Sequence, residues 1–405
     1  MDIKSVTTRC CIVGGGPAGI MLGFLLARSG IPVTVLEQWP DFFRDFRGDT
    51  IHPATLELLY ELNILDAFLR LPVDKTYQIG AEIGGKKITI ADFSHLKVHC
   101  PYLAFIPQWD FLNFMVEQAK QYPEFNLLLQ TEGVDLIKEN NRYVGVIAKS
   151  QGEQFEIRAE LVIGADGRHS MVREKSHLTV EALGAPMDVL WFRLSRKDSD
   201  ETFSLGKIDL GRILIMINRG NYWQCGFLIR KGTFDSVQSG GLEAFQQSLL
   251  KVSPNLKDRV EELKSWDQIK LLTVTVDHLT KWYEAGLLCI GDSAHAMSPI
   301  GGVGINLAIQ DAVAAANILI PAFQKNNLTE DTLRAIQDRR AFPTRWTQRI
   351  QVFLQNRIID RVLDKSVHPG IPLPFKLLNK VPFLRRIPAY IIGIGFRPEH
   401  IKRFD

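Results

Sequence analysis

The stretch RCCIVGGGPAGIMLGFLLARSGIPVTVLE, residues 9–37, constrains the fold more than any other part of the chain. Cys11–Val13 reads as a short buried strand, Gly14–Gly19 as the pattern GxGxxG, Ile20–Arg28 as a helix and Val33–Leu36 as a second strand. Glu37 closes the second strand, where an acid of a nucleotide-binding βαβ unit reaches the ribose hydroxyls. Gly14 permits the tight turn, Gly16 lets the backbone approach a pyrophosphate, and Gly19 lets helix and strand pack closely. Gly15, Pro17 and Ala18 complete the loop, and the helix N-terminus offers free N–H groups and a partial positive charge to phosphate. The fold class that follows is α/β, with a Rossmann-type dinucleotide site. An acid at this place favours a ligand with a free 2′-hydroxyl, FAD or NAD over NADP, and the loop alone does not choose between them.

A second glycine-rich loop makes that choice. Residues 291–312 read GDSAHAMSPIGGVGINLAIQDA. The apolar run 286–290 reads as a buried strand, so Asp292 lies at the carboxyl edge of the parallel sheet, where ligands of open α/β folds collect. Asp166, in LVIGADGRHS, ends another strand at the same edge. Gly301, Gly302 and Gly304 let the chain run close to a flat ligand, and a helix starting near Ile305 or Asn306 points its N-terminus back along the loop. A nicotinamide gains little from such a dipole. A reduced isoalloxazine carries negative charge near N1 and the C2 carbonyl and gains directly. The two loops therefore suit FAD, one for its pyrophosphate and one for its ring, with Asp292 at the ribityl or phosphate hydroxyls.

Between and after these motifs the texture changes. DVLWFRLSR, RILIMINRG and NYWQCGFLIRKG are alternating and aromatic, and QIGAEIGGKKITIADF carries a Gly84-Gly85 hairpin signal. They predict an antiparallel sheet inserted into the nucleotide domain. Residues 1–73, 101–178 and 280–325 then form the FAD-binding domain, 74–100 and 179–279 a substrate-binding sheet, and 326–405 a C-terminal helical segment. Trp191, Arg193, Met216 and Tyr222 on these strands, with Asp49 and with Pro299 on the second loop, are the candidate substrate contacts. Arg47 and Asp49 precede a helix starting near Pro53; Asp49 and His52 are expected near the flavin ring, where a turn former and a helix N-terminal neighbour are favoured over a catalytic base. In the last segment Pro343 is expected to interrupt the helical pattern, and the tail PLPFKLLNKVPFLRRIPAYIIGIGF reads as a helix docked on the pocket, with a membrane-surface helix as the alternative.

Composition excludes other classes. Apolar residues make up 46% and charged residues 23%, as in an ordinary globular protein, and a net charge of +3 with no basic run argues against nucleic-acid binding. Five cysteines without a CxxC pair predict no metal site, and the apolar runs around Cys10, Cys11, Cys225 and Cys289 point to buried thiols and the cytoplasm. No secretory signal and no apolar run of transmembrane length is expected.

Taken together, GGGPAG with Glu37, the Arg47 segment, GADG at 164–167 and the GD…GxGxN…DA run resemble the para-hydroxybenzoate-hydroxylase-type, or UbiH-like, single-component flavin monooxygenases over roughly residues 8–320. The resemblance implies non-covalent FAD, with NAD(P)H as a transient co-substrate. O2, activated on the reduced flavin, is used to hydroxylate an electron-rich aromatic compound. By the same resemblance Gly14, Gly16, Gly19 and Glu37 hold the AMP half and Arg47 meets the pyrophosphate. Gln108 lies beside the ribityl chain and Asp292 binds the ribityl or phosphate region. The backbone of Gly302–Asn306, including Gly304 and Ile305, lines the pyrimidine ring, and Asp166 belongs to a motif tied to both FAD and NAD(P)H. Val303 departs from the glutamine of many relatives. His295 matches a mainly structural residue, and no catalytic side chain is assigned. Relatives of this kind include tailoring hydroxylases of aromatic polyketides and tetracycline-inactivating enzymes, so the substrate is expected to be a phenol, quinol or polycyclic natural product. A reductase or dehydrogenase of the same fold is the alternative, and a binding module that has lost its flavin is disfavoured by the intact motifs. The remaining partner expectations are no nucleic acid, no stable membrane insertion, and a monomer or homodimer.

Overall fold

The structure, a computed structural model, describes residues 5–43, 50–200, 205–209, 211–363 and 373–404. Its centre is a sheet whose parallel strands run in the order Leu287–Cys289, Glu153–Gly164, Ser5–Val13, Val33–Leu36, Phe125–Leu128. Cys10–Val13 and Val33–Leu36 are buried throughout, as continuous apolar runs must be in a sheet covered on both faces. Two antiparallel strands, Thr131–Glu139 and Arg142–Ser150, extend Glu153–Gly164 on one side. The helices Pro17–Arg28 and Gly304–Gln324 pack against each other over the core.

Gly304–Gln324 is apolar nearly all round, which is the pattern of an interior helix. Sequence alone predicts no element of membrane-spanning length. The helical run Ile300–Gln324 does have that length and apolarity, and 78% of its most apolar window is buried inside the protein.

The second sheet has seven strands and draws on two separate stretches of chain. Its order is Lys270–Leu272, Met187–Ser195, Tyr222–Arg230, Arg212–Asn218, Leu205–Asp209, Gln78–Ile83, Lys86–Asp92, antiparallel except where Leu205–Asp209 meets Gln78–Ile83. Gly84 and Gly85, both at positive φ, make the two-residue turn of the last hairpin. Alternation gives the sheet two unlike faces. Leu190, Phe192, Leu214 and Met216 lie under the amphipathic helix Leu242–Val252, which buries Phe245 and Leu249. Val189, Trp191, Ile215 and Leu228 instead meet Ile300, Val352 and Ile359.

The C-terminal helix Glu330–Leu354 starts at a Thr329 capping box and runs unbroken through Pro343. Sequence alone predicts an interruption there. Buried residues on both sides of the proline, Leu333, Ile336, Arg340, Thr344 and Gln348, press one stripe of the helix against the body and hold it in line. Two shorter helices follow, Leu373–Lys380 and Arg386–Gly393.

Candidate active site

Strand register builds the site. Val13 pairs with Leu36 and with Gly164, and Gly164 pairs with Cys289. Four strands thus end at one level, and the residues that follow them, Gly14, Glu37, Ala165-Asp166 and Gly291-Asp292, emerge side by side at the carboxyl edge.

At the first loop, Gly14 has φ +109°, and an added Cβ would lie 2.4 Å from Ala165 O. Only glycine makes that turn. Gly19 presses the helix onto the turn so closely that a Cβ would lie 2.0 Å from Gly14 O. Gly15 N donates to Glu37 Oε2 at 3.2 Å, which sets the acid against the loop. Gly16 is different: a Cβ there would meet nothing nearer than Ala165 O at 3.9 Å. It is the N-cap of Pro17–Arg28, with no side-chain cap and no acid in the first turn, so there is room beside Gly16 at a helix end whose N–H groups no side chain takes, while Ala18 behind it is buried. Arg47 and Asp49 lie outside the described residues.

Asp166 accepts from Val172 N through Oδ2 at 3.1 Å, while its Oδ1 is buried without a partner. Burial pushes this carboxyl above its ordinary range, against the hydrogen bonds of Ser170 and Val172, which pull it down. Asp292 is partly exposed and pairs with Arg168 at 3.3 Å. Gln108 opens the helix Gln108–Ala119 directly after Pro107.

The second loop is held by side chains from distant parts of the chain. Gly291 N donates to Asp311 Oδ2 at 3.1 Å, and that same oxygen lies 2.5 Å from His295 Nε2. Asp311 also takes Arg340 Nε at 2.8 Å, and Arg340 reaches Glu399 at 3.3 Å. All four ionisable groups are buried. Burial works to raise the Asp311 carboxyl, but His295 and Arg340 together hold it below the usual range. His295 thus packs against Asp311 inside the fold. Further along, Gln348 Nε2 donates to Asp277 O and Ala296 O, and Gln351 bonds Ser298 N, Ser298 O and Ile300 O. Pro299 begins the turn Ile300–Gly302, in which Gly301 and Gly302 have φ +80° and +63°.

The long helix starts at Gly304, a residue or two before the expected position, with Ile305 and Asn306 in its first turn and no side-chain cap. The Asn306 side chain is a strut. Its Oδ1 accepts from His52 N and Thr55 Oγ1, and its Nδ2 donates to Thr50 O and Gly302 O. His52 donates through Nδ1 to Ile392 O at 2.6 Å, leaving Nε2 buried without a partner near Gly302. Burial pushes its pKa down to about 4, only partly offset by the Ile392 bond, so the ring is neutral.

The candidate substrate residues divide. Trp191, Arg193 and Tyr222 share the face toward Ile300: the Arg193 guanidinium lies 4.9 Å over the Tyr222 ring, and Trp191 packs on Gly226. Met216 lies on the opposite face, buried under Leu242–Val252, because strand alternation turns it away. Asp311, Arg340, Gln348, Gln351 and Glu399 are absent from the sequence-derived set. Asp311 stands inside the glycine-rich stretch itself and was open to detection. The others were hidden by their distance along the chain.

Comparison with known proteins identifies the family. The FAD binding domain family model matches residues 7–349. A curated relative, 6-methylpretetramide 4-monooxygenase of Streptomyces rimosus, is 31% identical over 94% of this chain and 91% of its own length. Para-nitrophenol 4-monooxygenase of Pseudomonas sp. is 24% identical over 80% of each. The crystal structure of p-nitrophenol 4-monooxygenase PnpA from Pseudomonas putida superposes with a TM-score of 0.77 at 18% identity, covering 98% of this chain and 100% of that one, which shows a shared fold. With the family model spanning most of its length and a relative matched nearly end to end, the chain belongs to the FAD binding domain family and is a flavin-dependent monooxygenase.

Proposed function

We propose that the carboxyl edge of the parallel sheet is the FAD site and that the enzyme hydroxylates a polycyclic aromatic compound bound against the Trp191 face of the second sheet. The observation that carries this reading is the common level of Val13, Leu36, Gly164 and Cys289, which delivers Gly14, Glu37, Asp166 and Asp292 to one edge. The residues fit the cofactor. Gly16 leaves room for a pyrophosphate, Glu37 stands beside the loop, Asp166 Oδ1 is an unused buried acceptor, and two helix N-termini lack side-chain caps. Gly14, Gly15, Gly16, Pro17, Ala18, Gly19 and Glu37 would hold the AMP half. Arg47 would meet the pyrophosphate, Gln108 and Asp292 the ribityl chain, and the backbone of Gly302, Gly304, Ile305 and Asn306 the ring. In this reading residues 1–73, 101–178 and 280–325 serve the cofactor, and 74–100 and 179–279 serve the substrate. The enzyme works in the cytoplasm as a monomer or homodimer.

FAD supplies the oxygen-activating redox chemistry when bound; the chain orients the reactants, aims its dipoles and excludes water. Overall, substrate, O2, NAD(P)H and a proton give hydroxylated substrate, NAD(P)+ and water. Trp191 Nε1 is a buried donor without a partner, suited to a substrate oxygen. A polycyclic substrate is supported by the 31% identical relative, whose name gives 6-methylpretetramide as what it oxygenates. The test is turnover of polycyclic phenols under 18O2. One labelled oxygen per product is expected, and reduction or dehydrogenation without label would move the enzyme to the reductase class.

A further inference from the structure

The last two helices form a unit with one covered face and one bare face. Arg385 joins them, donating to Leu378 O at 3.0 Å and Asn379 O at 3.4 Å. On the covered side, Phe375 packs against Ala81, Ile83 and Ile88, and Ala389 is fully buried. Gly393 fits so closely that a Cβ would lie 3.0 Å from Leu96 and 3.1 Å from Phe93.

On the other side Leu377, Val381, Phe383, Ile387 and Tyr390 are 50%, 39%, 64%, 56% and 52% exposed. Phe383, Ile387 and Tyr390 follow helical spacing of four and three, so they share one stripe. A short helix apolar on both faces is suited to cover on both, and clustered exposed apolar groups of this size mark interaction surfaces.

Charge selects the occupant. Lys376, Lys380, Arg385 and Arg386 lie among these side chains, with no Asp or Glu from residue 375 to 398. Arg386 sits 4.8 Å over the Phe383 ring. The longer C-terminal helix Glu330–Leu354 instead mixes Glu330, Asp331 and Asp338 with its arginines. One sign of charge interleaved with bare apolar groups matches a surface that is anionic outside and apolar just beneath.

We propose that this face docks the enzyme peripherally on an anionic lipid surface. Phe383 and Ile387 enter the headgroup boundary, while Lys376 and Lys380 reach lipid phosphates with their stems along the apolar layer. The contact is peripheral, because Arg386–Gly393 has 8 residues and is too short to cross a bilayer. It stands independently of the substrate.

The test is sedimentation of the FAD-loaded full chain with phosphatidylcholine vesicles, with and without phosphatidylglycerol. Binding is expected on the anionic vesicles, much weaker on pure phosphatidylcholine, and falling as salt rises. Lys376→Gln with Lys380→Gln should weaken it roughly 25-fold, about fivefold per cation. Phe383→Ser with Ile387→Ser should abolish it. Both double variants should keep the parent melting temperature and flavin absorbance, since the altered groups are exposed. Folded, flavin-loaded protein that ignores anionic vesicles would overturn the proposal, as would binding unchanged in both variants. Concentration-dependent dimers that the serine pair dissolves would assign the face to a second copy of the chain instead.

Discussion

The two glycine-rich loops serve one edge of one sheet but are built by different means. The first, Gly14–Gly19, is local: its turn, its helix and the acid at Glu37 all come from one short stretch, and backbone shape does the work. The second, residues 291–304, has short internal turns at Gly291 and Pro299 but is tied down by side chains from elsewhere. Asp311 holds its start, Gln348 and Gln351 hold its middle, and Asn306 ties its end to Thr50. Most of these struts come from helices outside the loop. A local loop is specified by which residues lack side chains, a remote one by which buried polar groups find partners.

The sharpest break of this contrast is Asp311→Ala. It leaves Arg340 buried opposite Glu399 alone and takes the acceptor from Gly291 N and His295. Removing one partner of a buried ionic group should cost about 3–5 kcal/mol of stability, visible as a lower melting temperature even without flavin. An apo protein that melts like the parent would show that the second loop does not depend on its remote support.

Gly14→Ala should behave in the opposite way. A Cβ overlaps Ala165 O and the φ of +109° suits only glycine, so the turn must shift. The strain should cost up to about 3 kcal/mol. Most of the effect should fall on FAD, with occupancy lost in purified protein while the apo sheet stays folded. Absorbance near the flavin bands and apo circular dichroism separate the two. Full flavin content would remove Gly14 from the proposed site.

The same contrast explains what was legible in the sequence. The first loop, the strand ends before Asp166 and Asp292, the Gly84-Gly85 turn and the helix start at Pro53 all rest on local chemistry, and the structure has them. The brace from Glu330–Leu354 was not legible. Arg340, Gln348 and Gln351 continue the buried stripe begun by Leu333 and Ile336, but in polar residues, which in one sequence look like a solvated face. Met216 was misleading for a related reason. An apolar residue on an alternating strand points to one face or the other, and only the position of Leu242–Val252 says which is closed.

Gln351→Leu tests the brace at its weakest point, where no charge is involved. The leucine keeps much of the volume and the helix propensity but removes the donor to Ser298 O and Ile300 O and the acceptor for Ser298 N. Those backbone groups flank Pro299 at the start of the turn that carries Gly301 and Gly302. Leaving them unsatisfied should cost about 1–2 kcal/mol, less than at Asp311 because every group involved is neutral. The first loop is untouched, so flavin should still bind, only more weakly. The effect should appear where the ring-side loop matters: flavin fluorescence and the near-ultraviolet bands of bound FAD should change, with pyrophosphate-side contacts intact. If Gln351→Leu instead releases FAD as completely as Gly14→Ala, the loops form one cooperative unit and the division between local and remote construction fails.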